Sequence, residues 1–144
     1  MGSKQVSKSS LEEISIRGLG VIESSNIEFK PGLTVLTGET GAGKTMVLTA
    51  LGLVLGSKSD SDLVRAGQER AVITGKFAVP KDIAKLIIEG GGEIDDGSVV
   101  ITRTVSTEGK SRVLVGGAVS SAAAVNQFAQ SLVEIHAQSS SSKL

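Results

Sequence analysis

The chain has 144 residues, with 15 Lys+Arg against 15 Asp+Glu and a formal net charge of +0. That length fits one domain or part of a larger one, and the balance gives no bulk-charge argument for nucleic acid or membrane. There are no Cys, which excludes disulfides and thiolate metal sites, and three Phe with no Tyr or Trp, which argues against an aromatic base-stacking surface. A hydrophobic share of 40% is enough for a packed core.

Residues 1–10 are polar, without the apolar middle of a signal peptide, and read as a disordered leader. No run is apolar enough to span a membrane. Residues 12–17 alternate and predict a strand. A second strand is expected from Val21 to Phe29, across Gly18-Leu19-Gly20. Pro31-Gly32 marks a turn, and Leu33 to Thr37 predict a short buried strand.

Next comes Gly38-Glu39-Thr40-Gly41-Ala42-Gly43-Lys44-Thr45, then a helical run from Met46 to Leu55 stopped by Gly56. Ala71 to Val79 predict a strand. Pro80 opens a helix with Ile83, Leu86 and Ile87 on one face, and Gly90-Gly91-Gly92 end it. Ser98–Ser106 and Ser111–Val115 predict a hairpin across Thr107-Glu108-Gly109-Lys110. Ser120 is a candidate cap for a helix to about Gln130, and Leu132 to Ile135 read as a last strand. Residues 139–144 are Ser-rich and expected to be flexible. The expected class is α/β.

Residues 38–45 match G-x-x-x-x-G-K-[ST] in full. Phosphate is held by converging backbone N–H groups, and side chains would keep the backbone too far away; hence Gly38, Gly41 and Gly43. The loop opens into a helix whose first N–H groups lack internal partners and attract anions. Lys44 supplies a cation for the β and γ phosphates, and Thr45 a hydroxyl for Mg²⁺. The bland alternative is a glycine-rich turn, but a strand before and a helix after the motif are what phosphate binding requires.

Hydrolysis also needs an acid at the end of an apolar strand to order Mg²⁺ and water. No apolar run of four residues here ends in Asp. Glu134 lies inside an alternating strand, and Asp95-Asp96 sit in a Gly-flanked polar stretch.

Further residues sharpen this. Leu11 to Arg17, the P-loop run Gly32 to Thr45, Ala50 to Gly56, Asp62 to Gly67, and Leu132-Val133-Glu134-Ile135-His136-Ala137-Gln138 together resemble the RecN family. These are bacterial DNA-repair ATPases related to the structural-maintenance-of-chromosomes (SMC) proteins. The resemblance covers about residues 11–138. It implies a P-loop NTPase fold: the N-terminal lobe of an ABC/SMC-type ATPase head, with a mixed sheet and an antiparallel β layer. A coiled coil would follow, and a C-terminal lobe would bring the signature motif and the missing acid.

The resemblance further implies that Gln138 is the Q-loop glutamine, which contacts Mg²⁺ or the attacking water. The cofactors would be ATP and Mg²⁺, with Lys44 and Gln138 serving catalysis in the full-length ATPase and little turnover by this chain alone. Implied partners are the C-terminal lobe, a second head, and DNA through the parent protein, with the nucleoid-associated cytoplasm as setting and no membrane. The missing lobe predicts self-association.

Lys58 stands where the family usually has Arg, Ala137 where it has Gly, and Gly116 where Asn is common. Arg65 reads as either a nucleotide- or DNA-facing residue or a solvated edge-strand residue. His136, the one histidine, reads as structural. Arg103, Lys110 and Arg112 read as a solvated strand face offset by Glu108, with a phosphate-binding patch as the alternative. Two other functions remain on the residues alone: a self-contained P-loop phosphotransferase, and a non-catalytic module keeping the P-loop as a relic.

Overall fold

The computed structural model describes residues 11–28 and 41–127. The expected strands at 33–37 and 132–135, the leader and the Ser-rich end lie outside them. Six strands are described: β1 (Leu11–Leu19), β2 (Ile22–Glu28), β3 (Arg70–Ala78), β4 (Ser98–Ser106), β5 (Ser111–Val115) and β6 (Ala118–Ser120). They form one sheet in the order β2-β1-β3-β4-β5-β6, and every neighbouring pair is antiparallel. Helix α1 (Gly41–Val54) follows β2, and α2 (Lys81–Glu89) lies between β3 and β4. Residues 122–127 are helical and are called α3.

Period-two alternation places one face of this sheet in the core. Ile14 and Ile16 of β1, Ala71, Ile73 and Phe77 of β3, and Val99, Ile101 and Val105 of β4 are buried. Helix α1 covers that face with Val47, Ala50, Leu53 and Val54. Close approach depends on Gly75, where an added Cβ would lie 2.7 Å from the Phe77 ring and 3.4 Å from Val54 Cγ2. The opposite face carries Ser15, Thr74, Thr102 and Thr104, all half-buried.

The β1–β2 hairpin turns through Gly20-Val21, with Gly20 at φ +55 as the first central position of such a turn requires. Gly18, at φ +69, follows the last β1–β3 pair, Arg17 with Val72, and an added Cβ there would meet Arg70 O at 2.8 Å. Its carbonyl accepts from Arg65 N at 2.8 Å, and Leu19 pairs with Val64 instead.

In α2, Ile83 and Ile87 are buried as expected, but Leu86 is 57% exposed. At 100° per residue it points well to one side of that pair, onto the rim of a cleft. The β4–β5 hairpin is organised by Ser106, whose Oγ accepts from the N–H groups of Glu108 and Lys110 at 3.2 and 3.1 Å.

Strand β6 is absent from the expected elements. It pairs with β5 across Gly116-Gly117, both with positive φ (58 and 86). The helix cap also moves by one residue. Ser121 Oγ accepts from Ala124 N at 3.1 Å, whereas Ser120 belongs to β6.

Candidate functional site

The phosphate-binding motif meets the fold at the start of α1. Gly38, Glu39, Thr40 and Gln138 lie outside the described residues, as do His136 and Ala137. The backbone of Gly41, Ala42, Gly43 and Lys44 forms the opening of a 14-residue helix, and Thr45 follows at an exposed position. That first turn holds no acidic residue. Its N–H groups and the positive end of the helix dipole meet no carboxylate of their own turn, which suits an anion. Among the described residues no group of three or more His, Asp or Glu could hold a metal. Of the residues expected to bind Mg²⁺, Thr45 is the one the described structure contains.

The far end of α1 is closed by a Schellman motif. Gly56 has φ +102, Ser57 N donates to Gly52 O at 2.9 Å, and Gly56 N donates to Leu53 O at 3.2 Å. An added Cβ at Gly56 would meet Ala122 O at 2.7 Å and Asn126 N at 3.0 Å, so α3 sits directly against this cap.

Arg103 corrects its sequence-based reading. It is 2% exposed, the largest fully buried side chain among the described residues, and takes no part in a solvated strand face. Alternation along β4 explains this, because 99, 101, 103 and 105 share the core face. Its Nη1 donates to Leu53 O at 2.6 Å and its Nε to Ser111 Oγ at 3.1 Å. Burial lowers its pKa from the ordinary arginine value, but a guanidinium starts so high that it stays charged at neutral pH.

Lys110 and Arg112 do stand in solvent, and Lys110 Nζ lies 3.8 Å from Glu108 Oε1. Arg65 is neither a solvated edge residue nor free to face a ligand with all its donors. It is half-buried, and its Nη1 donates to Gly20 O at 3.2 Å. Lys58 is exposed. Asp95-Asp96 form the turn before β4, with Asp96 at φ 55 and both exposed.

A separate apolar cleft of about 370 Å³ opens between α2, β5, β6 and α3, lined by Ile83, Leu86, Ile87, Val115 and Val119 among others. No described residue of α1 lines it, so it is not the phosphate site.

The helix that opens within the phosphate-binding motif packs on one face of the antiparallel sheet, which makes an α/β lobe of the P-loop class. Residues 13–143 match the AAA domain family, and the chain belongs to it.

Its relatives are more particular. The chain is 50% identical over 125 residues to the DNA repair protein RecN of Streptomyces coelicolor, covering 85% of this chain and 22% of that protein. It is 42% identical over 130 residues to the DNA repair protein RecN of Halalkalibacterium halodurans, covering 89% and 23%. The resemblance read from residues 11–138 is therefore borne out, and the chain spans less than a quarter of these relatives' length.

Among solved structures, one from work on ATP-driven dimerization and DNA-stimulated activation of SMC ATPases superposes with a TM-score of 0.66 at 23% identity. It covers 85% of this chain and 79% of that one. At that identity the likeness shows the fold, and the fold is that of an SMC-type head, as expected.

Proposed function

We propose that the chain is the ATP-binding N-terminal lobe of a RecN-like ATPase acting in repair of DNA double-strand breaks. The observation that carries this is the placement of Gly41 to Thr45. The second half of a complete phosphate-binding motif opens a 14-residue helix with no acid in its first turn. Backbone N–H groups of that turn would hold the phosphates, with Lys44 as the mobile cation. Gly38, Glu39 and Thr40 would complete the cradle.

Bound Mg²⁺ would neutralise phosphate charge, and Thr45 and Gln138 are the residues to hold it. The acid that orders water would come from the C-terminal lobe, in a site completed by a second head. Binding of γ-phosphate would then shift heads between engaged and separate states. DNA contact would belong to the parent protein, in the cytoplasm. Among the described residues no helix is long and apolar enough to cross a membrane. Self-association of the chain is part of the same reading. It is supported by exposed apolar side chains at Leu48, Leu86, Ile88 and Val119.

The test is calorimetric titration of the chain with ATP, with and without Mg²⁺, against Thr45→Ala. The wild type should bind ATP more tightly with Mg²⁺, and Thr45→Ala should remove most of that gain, a loss of roughly tenfold for one charge-assisted ligand. Equal affinity with and without Mg²⁺ in the wild type would contradict the role given to Thr45.

A further inference from the structure

Arg103 occupies the middle of a core row. Across β1, β3, β4 and β5 the register sets Ile16 beside Ile73, Ile73 beside Arg103, and Arg103 beside Val113. Its three row-mates are buried and apolar. Taking a charge out of water into such a row is costly unless something specific compensates it. Among the described residues no carboxylate forms a salt bridge with Arg103.

Its compensation comes from the end of α1. The last carbonyls of a helix lack helical partners and carry the negative end of its dipole. Helix α1 has no basic residue in its own last turn. Arg103 supplies that cation from β4, on a carbonyl that also accepts from Gly56 N. Ser111 then holds the guanidinium from β5. A side chain present only to fill space would avoid the desolvation cost. This one ties a chosen carbonyl of α1 to a chosen point on the β4–β5 hairpin.

We propose that Arg103 is a positioning residue for phosphate binding: by fixing the C-terminal end of α1 to the β4–β5 hairpin, it sets where the N-terminal turn of that helix presents its N–H groups. The proposal rests on the phosphate-binding reading of Gly38 to Thr45. The link is mechanical. A 14-residue helix is about 21 Å long, too far for the charge itself to act strongly on a phosphate. A regular helix, however, carries a displacement at one end to the other.

The experiment measures dissociation constants of Mg²⁺-ATP and Mg²⁺-tripolyphosphate for the 144-residue chain and for Arg103→Met, Arg103→Lys and Ser111→Ala. Circular dichroism fixes a temperature at which each variant is fully folded. Arg103→Met should weaken both ligands by the same factor, about fivefold, the scale of coupling through packed networks. Arg103→Lys, which keeps the charge but has a single donor nitrogen, should recover part of it. A folded Arg103→Met that binds both ligands like the wild type overturns the positioning role, because loss of mere core stability leaves the affinity of the folded state alone.

Should Arg103→Met not fold, Ser111→Ala decides. It frees the guanidinium from β5 only, so weaker binding of both ligands supports the role and unchanged binding overturns it. A wild type that binds neither ligand overturns the phosphate reading, and the positioning role with it.

Discussion

Lys44→Ala is expected to weaken Mg²⁺-ATP binding by roughly tenfold to a hundredfold while leaving the thermal midpoint of unfolding unchanged. The size follows from losing a hydrogen-bonding ammonium on phosphate, since such charged bonds contribute about 1.5–3 kcal/mol each and 1.4 kcal/mol is tenfold. The unchanged midpoint follows from the position of residue 44 in the first turn of α1, while the described core contacts of that helix come from Val47, Ala50, Leu53 and Val54. Titration calorimetry with parallel melting curves checks both halves. Affinity equal to the wild type would mean that the motif does not hold phosphate, and the relic reading would gain.

The second large effect concerns stability. Gly116→Ala is expected to destabilise the chain by about 3 kcal/mol, of which about 1–2 kcal/mol is the cost of a left-handed backbone for an L side chain. Gly116 has φ +58, and an added Cβ would lie 2.5 Å from Glu93 N and 2.6 Å from Glu93 O. Those are backbone atoms held in place. Glu93 N donates to Gly116 O at 3.0 Å, and Gly116 N to Val100 O at 2.8 Å.

Gly117 is the internal control. It too has positive φ (+86), but an added Cβ meets nothing within 4 Å, so Gly117→Ala should cost only about 1 kcal/mol. Thermal melts of the two variants should separate by several degrees. Equal losses would show that the close approach to Glu93 relaxes freely.

Much of this fold is legible in the sequence. The alternation at 12–17, the β-branched runs at 98–106 and 111–115, and the Pro80 and Gly90 boundaries all correspond to elements of the fold. These are local signals, and local physics decides them.

Strand β6 carried a signal too, since Gly116-Gly117 between apolar runs is the sequence of a tight hairpin turn; its three residues were too short to show a period. For Arg103 two signals conflict. Parity with Val99, Ile101 and Val105 points inward, while charge points outward. Parity wins because the carbonyl of Leu53, fifty residues earlier, accepts the guanidinium there, and no local pattern reports that. The same holds for Arg65, whose partner Gly20 is distant in sequence. Of the site itself, the motif was fully readable, whereas the way α1 is anchored at its far end was not.

On the proposed function, these residues are one part of a divided ATPase site. The most direct measurement is Mg²⁺-ATP turnover by the chain alone and after mixing with the C-terminal segment of a RecN relative. Phosphate release is expected only in the mixture, and none when Lys44→Ala replaces the wild type. Release by the chain alone at the mixed rate would contradict the proposed function, and would require a hydrolytic acid within these 144 residues.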